Sequence, residues 1–373
     1  MSDTSILRAA RQLIARLPTT AHAEALAVLN GAVGDRLLAA ENTTAIAMEL
    51  RLRDPDTASL DVVDLDTLPQ GDAPPRATLL VHGLMGSEHA WALGTADAPG
   101  ADPQTVDRRE LGTVVAQQRG GHVLYLRYNS GRHISDNGRE LAEQLERLHD
   151  AWPGTLERLD VVAHSMGGLV MRSALHYGLE AGHAWPRAAG TIVLLGTPSH
   201  GAPLEQLAHV AAFTLESIWN PWTKLIGKAI NLRSAGIKDL RHGFCTEEDW
   251  RHKDQDTLRL QRPRPTRSPD HVRWYVAAGS TGTPEHWVSK LVGDGLVRPP
   301  SARGLGYGTE APGALPGAEV RVFGNINHMG LMNDPAVVEQ VLDWLQHGDA
   351  PGLPRPAGSH DAASTNEAST DDD

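Results

Sequence analysis

One cysteine, Cys245, in 373 residues excludes an intrachain disulfide. That scarcity fits a reducing compartment and also fits cysteine-poor secreted enzymes. No stretch approaches the ~18 consecutive apolar residues of a membrane span. The opening MSDTSILRAARQLIARLP carries arginines throughout and has no uninterrupted apolar core, so it is not a Sec-type signal peptide. The expectation is a soluble, cytoplasmic protein without a transmembrane segment, with export by a route that reads no N-terminal signal left open. There is no excess of basic residues either. The net charge is −12, of which the tail 349–373 supplies −5, and a moderately acidic folded part gives no support to nucleic-acid binding. No H-E-x-x-H and no cysteine pair is present, so no zinc site is expected, and no acidic cluster offers a place for calcium. No internal repeat is found.

What is present is an alternation of short apolar strands and helical stretches. Residues 5–17 and 20–40 carry apolar residues at spacings of three and four, predicting two amphipathic helices separated by Pro18. They form an N-terminal helical extension, residues 1–42, read as an accessory cap because no chemistry-bearing residue is evident there. An antiparallel pair follows around 46–52 and 60–65. Strands are then predicted at 77–83, 122–130, 158–165, 190–198, 273–280 and 319–325, with helices at 138–151, 166–180 and 335–346. Unbroken apolar strands alternating with helices predict an α/β domain over 43–348, its mostly parallel sheet covered on both faces. The tail 349–373, rich in Pro, Gly, Ser and Asp, is expected to be disordered.

Ala163-His164-Ser165-Met166-Gly167 ends one central strand and opens a helix. It follows the G-x-S-x-G nucleophile elbow except for alanine at the first position, the mildest departure available where a strained turn needs small neighbours. A plain strand-to-helix turn that happens to hold a serine is the competing reading. An elbow serine needs an oxyanion site, and His82-Gly83-Leu84-Met85-Gly86 closes an earlier strand. There the N–H of Leu84 could pair with that of Met166 around a tetrahedral oxyanion. An ordinary strand-ending turn is the alternative. Asp294, between two glycines after a later strand, and His328, in the loop after the last strand, complete the order Ser…Asp…His found on α/β-hydrolase sheets. Each signal alone is weak, since Gly-Asp-Gly is a common turn and the chain has 18 histidines. Their order is what carries weight.

On these residues the chain resembles the α/β-hydrolase superfamily, and within it the bacterial lipases and the GPI inositol-deacylase-like serine esterases. The matching stretches are VHGLMGS (81–87), AHSMGG (163–168), LLGTPSHGAP (194–203), GDGLV (293–297) and NHMGLMND (327–334). The resemblance implies Ser165 as nucleophile, Asp294 as acid and His328 as base, with oxyanion-hole amides from Leu84 and Met166. The acyl-enzyme chemistry requires neither a metal nor an organic cofactor, although some lipases of this resemblance carry a structural calcium. The Gly-Thr-Pro-x-His-Gly element at 196–201 is assigned a structural role near the site.

About seventy residues separate GTPSHGAP from the next core strand, far more than an ordinary connection. Leu215, Trp219 and Trp222 fall on apolar helical stripes there, and a helical cap insertion spanning about 203–262 is expected. The sharper reading makes it a lid with an acyl-binding wall; the other makes it a hairpin packed permanently on the core. The basic run 259–273 is read as a solvated loop, with transient contact to a lipid surface as the alternative. Cys245 is read as a buried or half-buried thiol. The function expected is hydrolysis of a small-molecule or lipid acyl ester through an acyl-enzyme. Acyl transfer by the same intermediate and a non-catalytic scaffold of the same fold are the alternatives.

Overall fold

The computed structural model describes residues 19–53, 60–64, 75–95, 109–202, 234–257, 261–280, 315 and 317–347. The first predicted helix, Asp294, the upstream part of the cap insertion with Leu215, Trp219 and Trp222, and the acidic tail lie outside the described residues.

A helix, α1 (Thr19–Ala39), precedes two short strands, β1 (Glu49–Arg53) and β2 (Leu60–Val62). Then come β3 (Arg76–Val81), α2 (Leu111–Arg119), β4 (His122–Arg127), α3 (Ile134–Ala151), β5 (Arg158–His164), α4 (Met166–Ala181) and β6 (Ala189–Leu195). Two helices, α5 (Ala235–His242) and α6 (Glu247–Trp250), follow, and β7 (Arg273–Ser280), β8 (Glu319–Gly324) and α7 (Pro335–His347) complete the described chain. The eight strands lie in the order β2-β1-β4-β3-β5-β6-β7-β8. Only the β2–β1 and β1–β4 pairs are antiparallel, and every pair from β4 to β8 is parallel.

The strand period of two decides which helices cover which face. On the central strands Leu79, Val161, Ile192 and Val276 face one core together with α1, α3 and α4. Their immediate neighbours Leu80, Val162, Val193 and Ala277 face the other, built on α2 and α7. Both faces being apolar, the central strands read as unbroken hydrophobic runs, the pattern expected of a doubly covered parallel sheet.

The extension departs from its reading as an amphipathic accessory. Ala25, Val28, Leu29, Ala32, Val33 and Leu37 are buried in the same core as the central strands. The helix breaks at Val33 (φ −146°, ψ 18°), and the Asn129 side chain donates to the Gly34 carbonyl beside the break at 3.1 Å. Asn30, fully buried, donates through Nδ2 to the carbonyls of Leu26 at 2.9 Å and Thr44 at 2.8 Å. Its Oδ1 accepts from the N–H of Ile46 at 2.9 Å. One side chain thus ties α1 to the chain entering the sheet.

The downstream part of the expected cap, residues 234–257, is packed on the body. Ser234 Oγ donates to the Gly31 carbonyl at 2.7 Å, and Asp239 Oδ2 accepts from the N–H of Ile134 at 2.9 Å. Asp239 also meets His133 Nδ1 at 2.9 Å, and the His133 ring stacks on Trp250 at 3.7 Å. Cys245 is buried as expected, and burial pushes its thiol up to about 12, which makes it inert near neutrality.

Asn30→Ala leaves the Thr44 carbonyl and the Ile46 N–H without their partner at a half-buried site. A loss of about 2–3 kcal/mol is expected from the urea midpoint at unchanged slope. An unchanged midpoint would mean that α1 is not held to the sheet by this residue.

Candidate active site

Ser165 sits between β5 and α4 with φ 53° and ψ −123°. A non-glycine residue at such angles is strained by ~1–3 kcal/mol and persists only where its surroundings over-determine it. Three pairings do so here: His164 faces Leu195 in the sheet register, Ser165 N–H donates to the Leu195 carbonyl at 2.8 Å, and Gly168 N–H donates to the Ser165 carbonyl at 3.1 Å. Ala163, the departure from the elbow pattern, is fully buried. The turn is therefore a sharp elbow and not a relaxed strand end. Ser165 is 1 % exposed, and among the described residues its Oγ makes no hydrogen bond.

The Gly83–Gly86 turn lies directly against it. A Cβ on Gly83 would stand 2.9 Å from Ser165 Cβ, so the two backbones approach as closely as a glycine permits. The turn closes by Gly86 N–H to the Gly83 carbonyl at 3.2 Å and holds Met85 at φ 59°. Met85 N–H donates to Ser130 Oγ at 3.0 Å. Tyr128 stacks on the His82 ring at 4.4 Å and donates its hydroxyl to the His82 carbonyl at 2.9 Å. Met166 is the first residue of α4, where backbone N–H groups have no partner inside the helix. Neither Leu84 nor Met166 donates its N–H in a turn or loop hydrogen bond among the described residues.

His328 follows β8, two residues after the bridge that joins Ile326 to Ser280, and Asn325 ahead of it has φ 58°. Its ring lies against the end of β6: Gly196 has φ 61°, and a Cβ there would stand 2.9 Å from His328 Nδ1. On the other side His164 donates from Nε2 to the His328 carbonyl at 3.0 Å, the two rings 4.6 Å apart. Asn333 Nδ2 donates to the Leu93 carbonyl at 2.8 Å and ties the loop to the segment after the Gly83–Gly86 turn. Of the positions singled out from the sequence, Ser165, Leu84, Met166 and His328 converge at one end of the sheet. Asp294, Leu215, Trp219 and Trp222 lie outside the described residues.

Two side chains at the site have no counterpart in the sequence reading. His164 is one; its signal was its place beside the serine. The other is Glu24 of α1, which lines the small cavity in front of Ser165 together with Gly83, Leu84, Leu93, Met329 and Met332. Ser87 donates from Oγ to Glu24 Oε1 at 2.8 Å and accepts the N–H of His89 at 3.1 Å. The extension read as free of chemistry therefore puts a carboxyl into the site. Burial, with a smaller contribution from the nearby Glu88, raises Glu24 to about 7 against the opposing Ser87 hydrogen bond. Burial also lowers His82 to about 4 and His164 well below the usual imidazole range, so both are neutral. The described residues contain no cluster of three or more His, Cys, Asp or Glu able to hold a metal.

Residues 75–281 match the sequence model of the PGAP1-like alpha/beta domain, more than half of the chain. The chain belongs to the PGAP1-like alpha/beta domain family. Its fold is that of the α/β hydrolases, as expected. The segment shared with the PGAP1-like family holds Leu84, Ser165 and Met166, while Asp294 and His328 lie beyond it. No curated protein matches the chain. Among solved structures it is similar to the Bacillus licheniformis lipase BlEst2, at 18 % identity and a TM-score of 0.45 for the propeptide form, covering 73 % of this chain and 51 % of that one. The mature form of BlEst2 gives 19 % and 0.43, covering 80 % and 97 %. Phospholipase PlaB from Legionella pneumophila gives 13 % and 0.44, covering 73 % and 60 %. The chain thus spans about half the length of the first of these.

A carboxyl raised from 4.5 to about 7 on folding binds its proton more tightly in the native state. Native stability therefore falls as pH rises through that window, the opposite of an ion-paired carboxylate. Glu24→Gln removes the dependence. The variant is expected to match the parent near pH 5 and to exceed it by about 2–3 kcal/mol near pH 8 in urea unfolding. Equal stability at both pH values would show that Glu24 ionises normally.

Proposed function

We propose that this protein is a serine carboxylic-ester hydrolase acting on acyl esters, with a lipid-like substrate. The observation that carries the proposal is the elbow: Ser165 at φ 53° against the Gly83 turn, at the end of the sheet where the His328 loop is anchored through His164. His328 takes the Ser165 proton as Oγ attacks the acyl carbonyl. The amides of Leu84 and Met166 hold the resulting oxyanion, each contributing ~2.7–4 kcal/mol in comparable sites. Asp294 holds the imidazole tautomer and stabilises the imidazolium. His328 then protonates the leaving alcohol, and water activated by the same imidazole releases the acid from the acyl-enzyme. The side chains lining the cavity, among them Leu84, Leu93, Met329 and Met332, give the space in front of Ser165 apolar walls. Leu215, Trp219 and Trp222 are proposed to extend that apolar wall. The substrate is the only partner this reading requires, with brief contact to a lipid surface where the ester is a lipid.

The test is hydrolysis of p-nitrophenyl esters from acetyl to palmitoyl. Turnover should fall by ~10⁴-fold or more in Ser165→Ala, with a comparable loss in His328→Ala. A fluorophosphonate should label the parent at Ser165 and leave Ser165→Ala unlabelled. Absence of both turnover and labelling in folded protein would refute the hydrolase and favour a scaffold. Labelling with transfer to an added alcohol in place of water would favour an acyltransferase.

His164 acts through the His328 backbone. His164→Ala is expected to lower kcat by about tenfold with KM little changed, and His164→Gln, which can still donate to the carbonyl, should recover part of it. Equal kcat in all three proteins would remove His164 from the mechanism.

A further inference from the structure

The face opposite the nucleophile is built by α1, and Glu24 is its polar residue. The side chain is 9 % exposed and borders the same cavity as Ser165 and Leu84. Ser87 occupies Oε1. A carboxyl has two oxygens and about four acceptor positions, so one hydrogen bond leaves most of its capacity directed at whatever enters. No lysine or arginine lines this cavity among the described residues. The neighbouring cations are engaged elsewhere: Arg51 and Arg127 lie 3.5 and 3.7 Å from the buried Glu88. The imidazoles nearest the elbow, His82 and His164, are neutral. An ionised group entering here meets an acidic side chain with apolar walls around it.

We propose that Glu24 sets the charge specificity of the Ser165 site, admitting esters whose acyl chain is neutral or cationic and rejecting those whose acyl chain carries an anion. This rests on the ester-hydrolase reading. Two like charges in a poorly hydrated cleft repel by far more than they do in water, and a cation is favoured by the same physics. Because burial and Glu88 raise Glu24 to about 7, its charge, and with it the discrimination, grows as pH rises through neutrality.

Three p-nitrophenyl esters with six-carbon acyl chains test this: hexanoate, the adipate monoester and 6-aminohexanoate, which end in methyl, carboxylate and ammonium. At about pH 8.5 the parent should prefer hexanoate over adipate, and Glu24→Gln should shrink that preference by about tenfold or more. The same variant should lose about tenfold on 6-aminohexanoate relative to hexanoate. Near pH 6, where Glu24 carries its proton, the parent should behave like the variant; both charged chains keep their charges across this range. Identical ratios in parent and variant, with Ser165-dependent turnover of hexanoate in both, would overturn the charge selectivity and leave the hydrolase standing. No Ser165-dependent turnover of any ester would overturn the hydrolase, and this proposal with it. Should Glu24→Gln not fold, the pH dependence of the parent's hexanoate-to-adipate ratio decides, and a flat ratio refutes the proposal.

Discussion

The site depends on one backbone torsion, the positive φ of Ser165. L-residues avoid that region because Cβ crowds the neighbouring carbonyl, and among the described residues no hydrogen bond of the serine's own side chain offsets the strain. The compensation lies in the sheet. β5 is paired on both sides, to β3 through Val81↔Ala163 and to β6 through His164↔Leu195, up to the residues that flank the turn. A strand clamped that far along has no slack, and α4 must begin at once to cover the face that Val161 and Ala163 present. The strain is stored by two parallel neighbours and a helix packed beneath them. Met85 and Asn325, at φ 59° and 58°, repeat the device at the other two segments that meet here. Each of the three converging segments thus carries a strained residue at or beside its functional group, as expected where position matters more than local comfort.

Those segments come from strands distant in sequence, and side-chain to backbone hydrogen bonds lock them together. His164 reaches the His328 carbonyl, Tyr128 the His82 carbonyl, and Asn333 the Leu93 carbonyl. Carbonyls at strand ends are left over when the ladder stops, and a buried one without a donor is costly. Meeting that requirement with side chains from neighbouring strands also fixes the loops relative to each other. Satisfying the backbone and positioning the site are here the same act.

The frame was legible in the sequence because it rests on period. Central strands buried on both faces give unbroken apolar runs, so β3 and β5 were found within a residue or two of their observed ends and β6 within three. The meeting of Ser165, Leu84, Met166 and His328 at one end of the sheet was legible through small-residue turns at strand ends, taken in order. What the sequence hid was burial beyond the apolar face. The apolar residues of α1 recur at three and four, so it reads as a surface helix with a polar side, yet Glu24 and Asn30 are buried as well. Only its lodging between the Gly83–Gly86 turn and α5 makes those polar residues internal. His164 was hidden differently: it occupies a variable position of a short motif, and its partner carbonyl lies 164 residues away in sequence.

Burial also decides which groups near Ser165 carry charge. It acts in the same direction on His82, His164 and Glu24, toward the neutral form, although two are bases and one is an acid. A site lined by neutral polar groups screens poorly, so a charge that appears within it during a reaction is felt strongly by fixed dipoles already in place. Glu88, buried two residues beyond the turn, lies 3.5 and 3.7 Å from Arg51 and Arg127 and so has its own counter-charges. Glu24 has none among these cations and depends on the proton itself. That difference, set by which side of the turn each carboxyl falls on, makes Glu24 the side chain whose charge an incoming substrate would feel.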